Sequence, residues 1–253
     1  MYTSHELYCY PLKLGATKEM IAAQGLGTVL RLARKLGPVV GKSVVVVGQG
    51  QNGLIATRMM SQFLAKVVIA VDPLEYRREI ALKSGATHAA SPDEAMELIL
   101  DQTEGRGADI VIEMVGHNQA TINRCMDYVR CSGIVAAFGV PDDAIYDTFV
   151  RPITAASSAP LNQRPLGTAD ARGVAGGYSV QEFSKFFRKN VNLIASVIPD
   201  PGRDFPEAVA LIEQGRFSTE GLFTHTVPLA EVQRGFEVAS QYLDGVVKLV
   251  IEL

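Results

Sequence analysis

The segment VVVVGQGQNG, residues 44–53, constrains the fold of this 253-residue chain more than any other stretch of its sequence. Four consecutive valines predict a strand that helices cover on both faces, as in the centre of a parallel sheet. Gly48, Gly50 and Gly53 follow with the spacing G-x-G-x-x-G, directly before an amphipathic stretch. In a strand-turn-helix unit these glycines permit a tight turn, the close approach of a phosphate, and close packing of the helix on the strand. The segment therefore predicts a phosphate-binding turn at the start of a helix.

The rest of the chain repeats this alternation of apolar runs and amphipathic stretches. Further strands are predicted at residues 67–71, 110–114, 134–138, 191–196 and 246–251. Stretches with helical periodicity separate most of these runs, which is the pattern of βαβ units. We therefore expect an α/β fold: a doubly wound parallel sheet of the Rossmann type with helices on both faces.

Three of the predicted helices carry specific expectations. In the helix after the glycines, Ile55, Met59 and Phe63 recur every four residues and should form one buried stripe. The next helix should open with Pro73 in its first turn and close at Gly85. The last helix should place five apolar side chains on one face: Leu229, Val232, Phe236, Ala239 and Leu243.

Charge and composition narrow the class of partner. The chain has 24 Lys and Arg against 27 Asp and Glu, a formal charge of −3, which favours neither nucleic acid nor an anionic membrane surface. A small molecule is therefore the expected partner. The N-terminal residues MYTSHELYCY lack the basic region and apolar stretch of a signal peptide, so a cytoplasmic location is expected. The three cysteines form no CxxC pair and are expected to be free, mostly buried thiols.

Residues 154–178 break the alternating pattern, because they are rich in Ala, Ser, Pro and Gly and have no sustained apolar period. We expect a long loop or a disordered insertion there. The expected organisation is an N-terminal remnant with a linking helix at 1–40, a dinucleotide-binding domain at 41–222, and a C-terminal tail at 223–253.

An acid beyond the second strand makes the glycine motif more specific. Asp72 lies 19 positions after Gly53, where an acidic residue accepts hydrogen bonds from the adenosine ribose hydroxyls. Its carboxylate would repel a 2′-phosphate, so NAD is expected in preference to NADP. Arg77 and Arg78 could approach such a phosphate, although a solvated helix face is the simpler interpretation. An adenosylmethionine-dependent methyltransferase also uses a glycine loop and an acid, but the third glycine argues against it.

Several segments resemble the zinc-type medium-chain alcohol, polyol and threonine dehydrogenases. The resemblance runs from about residue 20 to 253, and its order and spacing match apart from the insertion. The similar segments are QGLGTVLRLARKL, GKSVVVVGQGQNGL, VIAVDPLEYRREIALKSGATH, GADIVIEMVG, GIVAAFGVP and FTHTVPLAEVQRGFEVASQYLDGVVKLVIEL. The resemblance implies an NAD-dependent oxidoreductase that transfers a hydride between nicotinamide and a secondary alcohol or ketone.

The resemblance also implies cofactor-binding roles, although it identifies no catalytic residue in this chain. Four residues would contact the pyrophosphate: Gly48, Gly50, Asn52 and Gly53. Two would hold the adenosine ribose: Asp72 and Arg77. Two would line the adenine-ribose side: Val115 and Gly116. Three would approach the nicotinamide: Phe138, Gly139 and Val140.

The chain departs from the family in its metal ligands. Family members carry an N-terminal catalytic domain that supplies a cysteine, a histidine and an acidic residue to a catalytic zinc, and no segment here corresponds to it. Where many polyol-type relatives have a glutamate facing the zinc, this chain has Gln24, whose amide is neither an anionic ligand nor a base. His5 with Cys9 is the nearest candidate pair, and a frayed terminus explains it more simply. We therefore expect no zinc bound by this chain alone.

Two classes of function stay open. In the first, the chain supplies the cofactor site of an oxidoreductase and a general acid or Lewis acid comes from elsewhere. In the second, it is an NAD-binding module without catalysis, such as a partial gene product or a partner subunit. A short-chain dehydrogenase is excluded, because it needs a lysine four positions after a tyrosine and none of the tyrosines has one. In the family the tail packs on the catalytic domain, so here it would either pack elsewhere or associate with another chain. We expect a homodimer, because members of the family commonly dimerise through the cofactor domain. The substrate cannot be read from the sequence.

Overall fold

The computed structural model describes residues 10, 12–13, 15, 17–116, 119–140, 180–195 and 198–252. The expected insertion at residues 154–178 and the His5–Cys9 pair lie outside these described residues.

Six parallel strands form the central sheet, and the alternating pattern predicted five of them. The pattern missed the short strand His88–Ala90, and the strand predicted at 246–251 belongs to the tail instead. The six strands are β1 (Ser43–Val47), β2 (Val67–Val71), β3 (His88–Ala90), β4 (Ala108–Glu113), β5 (Val129–Ala137) and β6 (Asn192–Ala195). Their order across the sheet is β3-β2-β1-β4-β5-β6, so β1 is central and the direction of winding reverses between β1 and β4. In sheets of this kind a crevice opens at that reversal, beyond the carboxyl ends of the strands.

Seven helices of the described ranges flank or precede these strands. They are α1 (Ala22–Leu36), α2 (Gln51–Gln62), α3 (Glu75–Lys83), α4 (Ala95–Gln102), α5 (Gln119–Tyr128), α6 (Val180–Arg188) and α7 (Asp204–Glu213). Alternate valines of β1 face opposite sides: Val44 and Val46 pack in the core with α1, α2 and α7, while Val45 and Val47 pack with α4 and α5. The valine run is therefore buried on both faces, as predicted. No helix of the described ranges is long and apolar enough to cross a bilayer.

Two expectations about helix boundaries were wrong. Met59 is buried in the core as expected, but α2 ends at Gln62, so Phe63 lies beyond the stripe and is 41% exposed. Pro73 is not in the first turn of α3, because the carboxylate of Asp72 accepts a 2.9 Å hydrogen bond from the amide of Leu74. That bond holds residues 72–74 as a turn, with Leu74 in an extended conformation, and delays the start of the helix to Glu75.

The tail forms a separate small unit. Strands β7 (His225–Pro228) and β8 (Leu249–Glu252) pair in parallel, and α8 (Val232–Ser240) connects them. The apolar residues predicted along this last helix are largely unburied: Leu229 is 54%, Phe236 65% and Leu243 45% exposed, whereas Gly235 and Val238 are buried. The reason is that α8 packs on the ribbon through Gly235, where a Cβ atom would lie 3.0 Å from a methyl group of Val227.

The cysteines only partly match their expectation. Cys125 on α5 is a free, buried thiol, and Cys131 on β5 is free but exposed. Burial, together with the negative charge of Glu113, raises the pKa of the Cys125 thiol well above its usual range.

Candidate dinucleotide-binding site

The three glycines of the motif sit in three different environments. Gly48 has a φ of +91°, and its amide donates a 2.8 Å hydrogen bond to the carbonyl of Val71 at the end of β2. A Cβ atom on Gly53 would lie 1.9 Å from the carbonyl oxygen of Gly48, so α2 can pack this closely only on a glycine. Gly50 has no neighbouring atom within 4 Å of the position of a Cβ, and its φ is −71°. The backbone conformation thus favours glycine at position 48 and close packing requires it at position 53, while Gly50 faces open space.

The start of α2 is suited to an anion. Gly50 is the N-cap residue, and the amide of Leu54 makes the first helical hydrogen bond, to the carbonyl of Gly50 at 2.9 Å. The amides that precede Leu54 therefore have no acceptor inside the helix, and Gly50 has no side chain to cap them. Such amides, at the positive end of the helix dipole, bind phosphates.

A buried glutamine braces the turn from within. Gln49 is fully buried; its Nε2 donates to the carbonyl of Val46 at 2.9 Å, and its Oε1 accepts a 2.9 Å hydrogen bond from the hydroxyl of Thr57. These two bonds connect the end of β1 with α2 across the turn. This role of Gln49 was not predicted, since nothing in the local sequence distinguishes a buried amide from a solvated one.

Asp72 closes the turn from the neighbouring strand. It is 2% exposed, and its carboxylate accepts hydrogen bonds from the amides of Gln49, at 2.7 Å, and Leu74, at 2.9 Å. A carboxylate has about four acceptor positions, so two remain after these bonds. Asp72 therefore shapes the turn and still has capacity to accept hydroxyl groups.

Two arginines of α3 contact the turn that contains Asp72. The Arg77 Nη1 atom lies 3.9 Å from the Asp72 Oδ2 atom, and its Nη2 donates a 3.4 Å hydrogen bond to the carbonyl of Val246 in the tail. Arg78 instead donates to the main-chain carbonyls of Asp72 and Pro73, both at 2.9 Å. Arg78 is thus held by the backbone, and Arg77 is the arginine nearer the carboxylate.

A cavity of about 580 Å³ lies beyond the carboxyl ends of three adjacent strands. Val47 at the end of β1, Val71 at the end of β2 and Met114 just past β4 contribute to its wall. Five of the predicted site residues also line it: Gly48, Gly50, Asp72, Arg77 and Val115. The other six are not on its wall: Asn52, Gly53, Gly116, Phe138, Gly139 and Val140. The fold thus brings two of the residues predicted for the pyrophosphate, Gly48 and Gly50, to the same cavity as Asp72 and Arg77, which are predicted for the adenosine ribose.

Four of the remaining predicted residues lie in the turns after β4 and β5, whereas Asn52 and Gly53 lie in the first turn of α2. Gly116 and Gly139 approach so closely that a Cβ on Gly139 would lie 2.1 Å from the amide nitrogen of Gly116. Phe138 is buried, whereas Val140 is 46% exposed. The Asn52 side chain lies against α1, where its Oδ1 would be 2.6 Å from a Cβ on Gly25.

Glu113 joins these two glycine turns and was missed by the sequence analysis. It is the last residue of β4 and is 4% exposed. Its Oε1 accepts hydrogen bonds from the amides of Val115 at 2.8 Å and Gly116 at 2.9 Å, and its Oε2 accepts one from Gly139 at 3.1 Å. The only local signal is an acid at the end of an otherwise apolar strand, followed by a glycine. Its carboxylate fixes the turn after β4 against the turn after β5.

The described residues contain no group of three or more His, Cys, Asp or Glu side chains placed to hold a metal ion. Gln24 lies exposed on α1. The expectation that this chain alone binds no zinc stays a prediction.

The fold and the turn define the class of protein. A six-stranded parallel sheet in this order, with the glycine turn at the reversal of winding, makes this a Rossmann-type α/β domain. The family described as "Zinc-binding dehydrogenase" matches residues 53–158. The chain belongs to these zinc-type medium-chain dehydrogenases, which confirms the resemblance found in the sequence.

Two relatives illustrate the match. An L-threonine 3-dehydrogenase of Caldanaerobacter subterraneus is 37% identical over 111 residues, which are 43% of this chain and 32% of the relative. A Mycobacterium tuberculosis protein named "Probable zinc-binding alcohol dehydrogenase" is 30% identical over 227 residues, 89% of this chain and 50% of the relative. The chain thus spans half or less of the length of these two relatives.

A solved structure agrees in fold. An E. coli protein described as a short chain alcohol dehydrogenase complexed with the cofactor NADH superimposes with a TM-score of 0.72. The alignment covers 96% of this chain and 62% of the other, with 14% sequence identity. At that identity the similarity concerns the fold alone.

Proposed function

We propose that this chain forms the NAD(H)-binding part of an oxidoreductase of the zinc-type alcohol dehydrogenase family. One observation carries the proposal: the open Gly50 position, the start of α2 and the carboxylate of Asp72 meet in a single cavity beyond the reversal of strand winding. Its volume, about 580 Å³, falls in the range of small-molecule sites, about 300–1,000 Å³. Further support comes from the family match and from the structural neighbour that holds NADH.

In this proposal each part of the cofactor has its own group of residues. The pyrophosphate lies against Gly48, Gly50, Asn52 and Gly53, where the open amides of α2 bind it. The adenosine ribose donates its hydroxyls to Asp72 and contacts Arg77. The adenine-ribose side lies along Val115 and Gly116. The nicotinamide approaches Phe138, Gly139 and Val140.

The same geometry favours NAD over NADP. Asp72 is almost fully buried. A phosphate on the ribose 2′ oxygen carries a charge of about −2 and would place it next to the carboxylate of Asp72. Arg77 is the nearest cation, but it already faces that carboxylate. Discrimination therefore arises from repulsion as well as from hydrogen bonding.

The bound nicotinamide would accept or donate the hydride, with a secondary alcohol or ketone as the proposed substrate class. This chain's residues bind the dinucleotide, orient it through the turn, and hold the two glycine turns beside it through Glu113. No catalytic acid is assigned among the described residues.

We propose the domain boundaries expected from the sequence, with residues 41–222 as the cofactor domain and 223–253 as the tail.

The test is a fluorescence titration of the purified full chain with NADH and, separately, NADPH. We expect saturable binding of NADH, weaker binding of NADPH, and loss of NADH affinity in Asp72→Ala. No NADH binding by a folded wild-type chain would refute the proposal. An assay with NAD and a panel of secondary alcohols then separates an active enzyme from a binding module, since only the enzyme produces NADH.

We also propose that the chain forms a homodimer. The support is the exposed apolar surface of the tail, where Phe236 and Leu243 are 65% and 45% exposed. Light scattering of the purified chain is expected to give twice the monomer mass. A monomer mass at all concentrations would contradict this part of the proposal.

A further inference from the structure

Tyr242 brings the tail of the chain to the cofactor cavity. It lies in the turn between α8 and β8, with a φ of +55°, and its side chain lines the same cavity as Asp72 and Arg77. The neighbouring turn residues anchor it to α3, because the hydroxyl of Tyr76 donates a 2.9 Å hydrogen bond to the carbonyl of Val246.

The ring of Tyr242 contacts the Arg77 guanidinium directly. The Arg77 Cζ atom lies 4.9 Å from the centroid of the Tyr242 ring and 5.8 Å from that of the Tyr76 ring, both within the range of cation–π attraction. The same guanidinium donates to the carbonyl of Val246 and faces the Asp72 carboxylate. Two rings, one carbonyl and one carboxylate therefore fix its direction, and the Arg77 side chain is only 13% exposed.

A freely moving arginine at this position would weaken the preference for NAD. Arg77 lies five residues after Asp72. If its guanidinium could reach the edge of the ribose, it could bind a 2′-phosphate with two parallel hydrogen bonds. Such a contact would offset the repulsion between Asp72 and a 2′-phosphate. Holding the guanidinium against Asp72 removes that compensation.

We propose that Tyr242 is a specificity-determining residue, which holds Arg77 beside Asp72 and so keeps this cation from binding a phosphate on the ribose 2′ oxygen. This inference rests on the proposed binding of NAD(H). It adds a role for the tail, which the glycine motif and the family match do not assign.

The experiment measures Kd for NADH and for NADPH in five versions of the full chain: wild type, Tyr242→Ala, Tyr242→Phe, Tyr242→Ala with Arg77→Gln, and Phe187→Ala. Tyr242→Ala should reduce the ratio of Kd for NADPH to Kd for NADH by about fivefold, the size of one lost cation–π contact, mainly through tighter NADPH binding. Tyr242→Phe keeps a ring over the guanidinium and should retain the wild-type ratio. Adding Arg77→Gln should abolish the tighter NADPH binding, because it removes the guanidinium that Tyr242→Ala leaves free to bind the phosphate.

Phe187→Ala is the matched control, since it also removes an exposed aromatic ring, from α6, at a residue that is 74% exposed and does not line the cavity. Circular dichroism and urea unfolding confirm that each variant is folded. An unchanged ratio in folded Tyr242→Ala that still binds NADH overturns this inference and leaves the proposed function intact. If the double variant still binds NADPH more tightly than wild type does, another cation, such as Arg124, is responsible for the tighter binding, and this inference is overturned. A wild-type chain that binds neither cofactor overturns both proposals.

Discussion

The carboxylate of Asp72 and the backbone amide of Gln49 are joined by a 2.7 Å hydrogen bond that connects the end of β2 to the glycine turn after β1. The same carboxylate also accepts the amide of Leu74. One buried side chain therefore holds two turns in place and faces the cavity proposed for the ribose. Stability and cofactor affinity should both depend on it.

Asp72→Ala is expected to lower the free energy of unfolding by about 2–4 kcal/mol, because the buried amide of Gln49 and the half-buried amide of Leu74 lose a charged acceptor. Asp72→Asn should cost less, since its carbonyl oxygen still accepts one of the two hydrogen bonds. Urea unfolding of wild type, Asp72→Asn and Asp72→Ala measures the three unfolding free energies, which should decrease in that order. Equal stabilities for wild type and Asp72→Ala would show that the turn does not need this carboxylate.

Gly50 and Gly53 should respond differently to the same substitution. Gly50→Ala should fold with a stability within about 1 kcal/mol of wild type, since its Cβ enters open space at a φ of −71°. It should nevertheless weaken NADH binding, because the new methyl group projects where the pyrophosphate is proposed to lie.

Gly53→Ala should instead destabilise the fold by about 3 kcal/mol or more, because its Cβ would overlap the carbonyl oxygen of Gly48. Thermal unfolding and NADH titration of both variants test the pair. A Gly50→Ala variant that binds NADH like wild type would argue against the proposed position of the pyrophosphate.

Glu113 is expected to be essential for the two turns beside the cavity. Glu113→Ala removes the carboxylate that accepts from the amides of Val115, Gly116 and Gly139, and it should cost about 2–3 kcal/mol of unfolding free energy. Most of this cost should come from the buried Gly116 amide, since the Gly139 amide keeps the main-chain carbonyl of Glu113 as an acceptor at 3.1 Å. Glu113→Gln keeps one carbonyl oxygen and should be intermediate. Hydrogen exchange at the amides of Val115, Gly116 and Gly139 should accelerate in both variants, and unchanged protection there would contradict the bridging role.

Asp109 should make stability depend on pH at the acidic end. Burial raises the pKa of this carboxyl, but hydrogen bonds from the Ser43 amide and hydroxyl and from the Arg130 guanidinium outweigh it, and the pKa is lowered overall. A carboxyl with a lowered folded-state pKa stabilises the fold fully above the unfolded pKa, about 3.9, and loses this effect as the pH falls through the folded value.

The difference in unfolding free energy between wild type and Asp109→Asn should therefore be constant from about pH 7 to pH 5 and shrink below about pH 4. Urea titrations at several pH values measure it. Asp101→Asn is the control, because Asp101 is exposed and this variant shows how much the loss of a surface charge alone changes the unfolding free energy. A difference that stays the same down to about pH 2.5 would rule out the lowered pKa as a source of stability.

Local patterns in the sequence predicted most of the central fold. The valine run predicted β1 and its burial on both faces, because β-branched residues without polar interruption suit a strand between two helical layers. The glycine spacing predicted the turn before α2, because the conformation at Gly48 and the close packing at Gly53 are properties of those residues themselves. One prediction failed at Pro73 because a local side-chain bond, between Asp72 and Leu74, competes with the helix and delays the start of α3. The burial of the last helix depended instead on a tertiary contact, since α8 packs on the tail strands through Gly235.

The sequence by itself determined the α/β class and the glycine turn, because each depends on residues that are neighbours along the chain. It also indicated Asp72, because an acid at the end of the second strand of a βαβ unit lies next to the turn after the first strand. Only the tertiary structure decided that Glu113 bridges to Gly139, 26 positions away, and that Arg77 bonds to Val246, 169 positions away. The physical reason is that no local period encodes such a pairing. It exists only after the sheet and the tail have packed and brought a buried charge within hydrogen-bond distance of a distant backbone group.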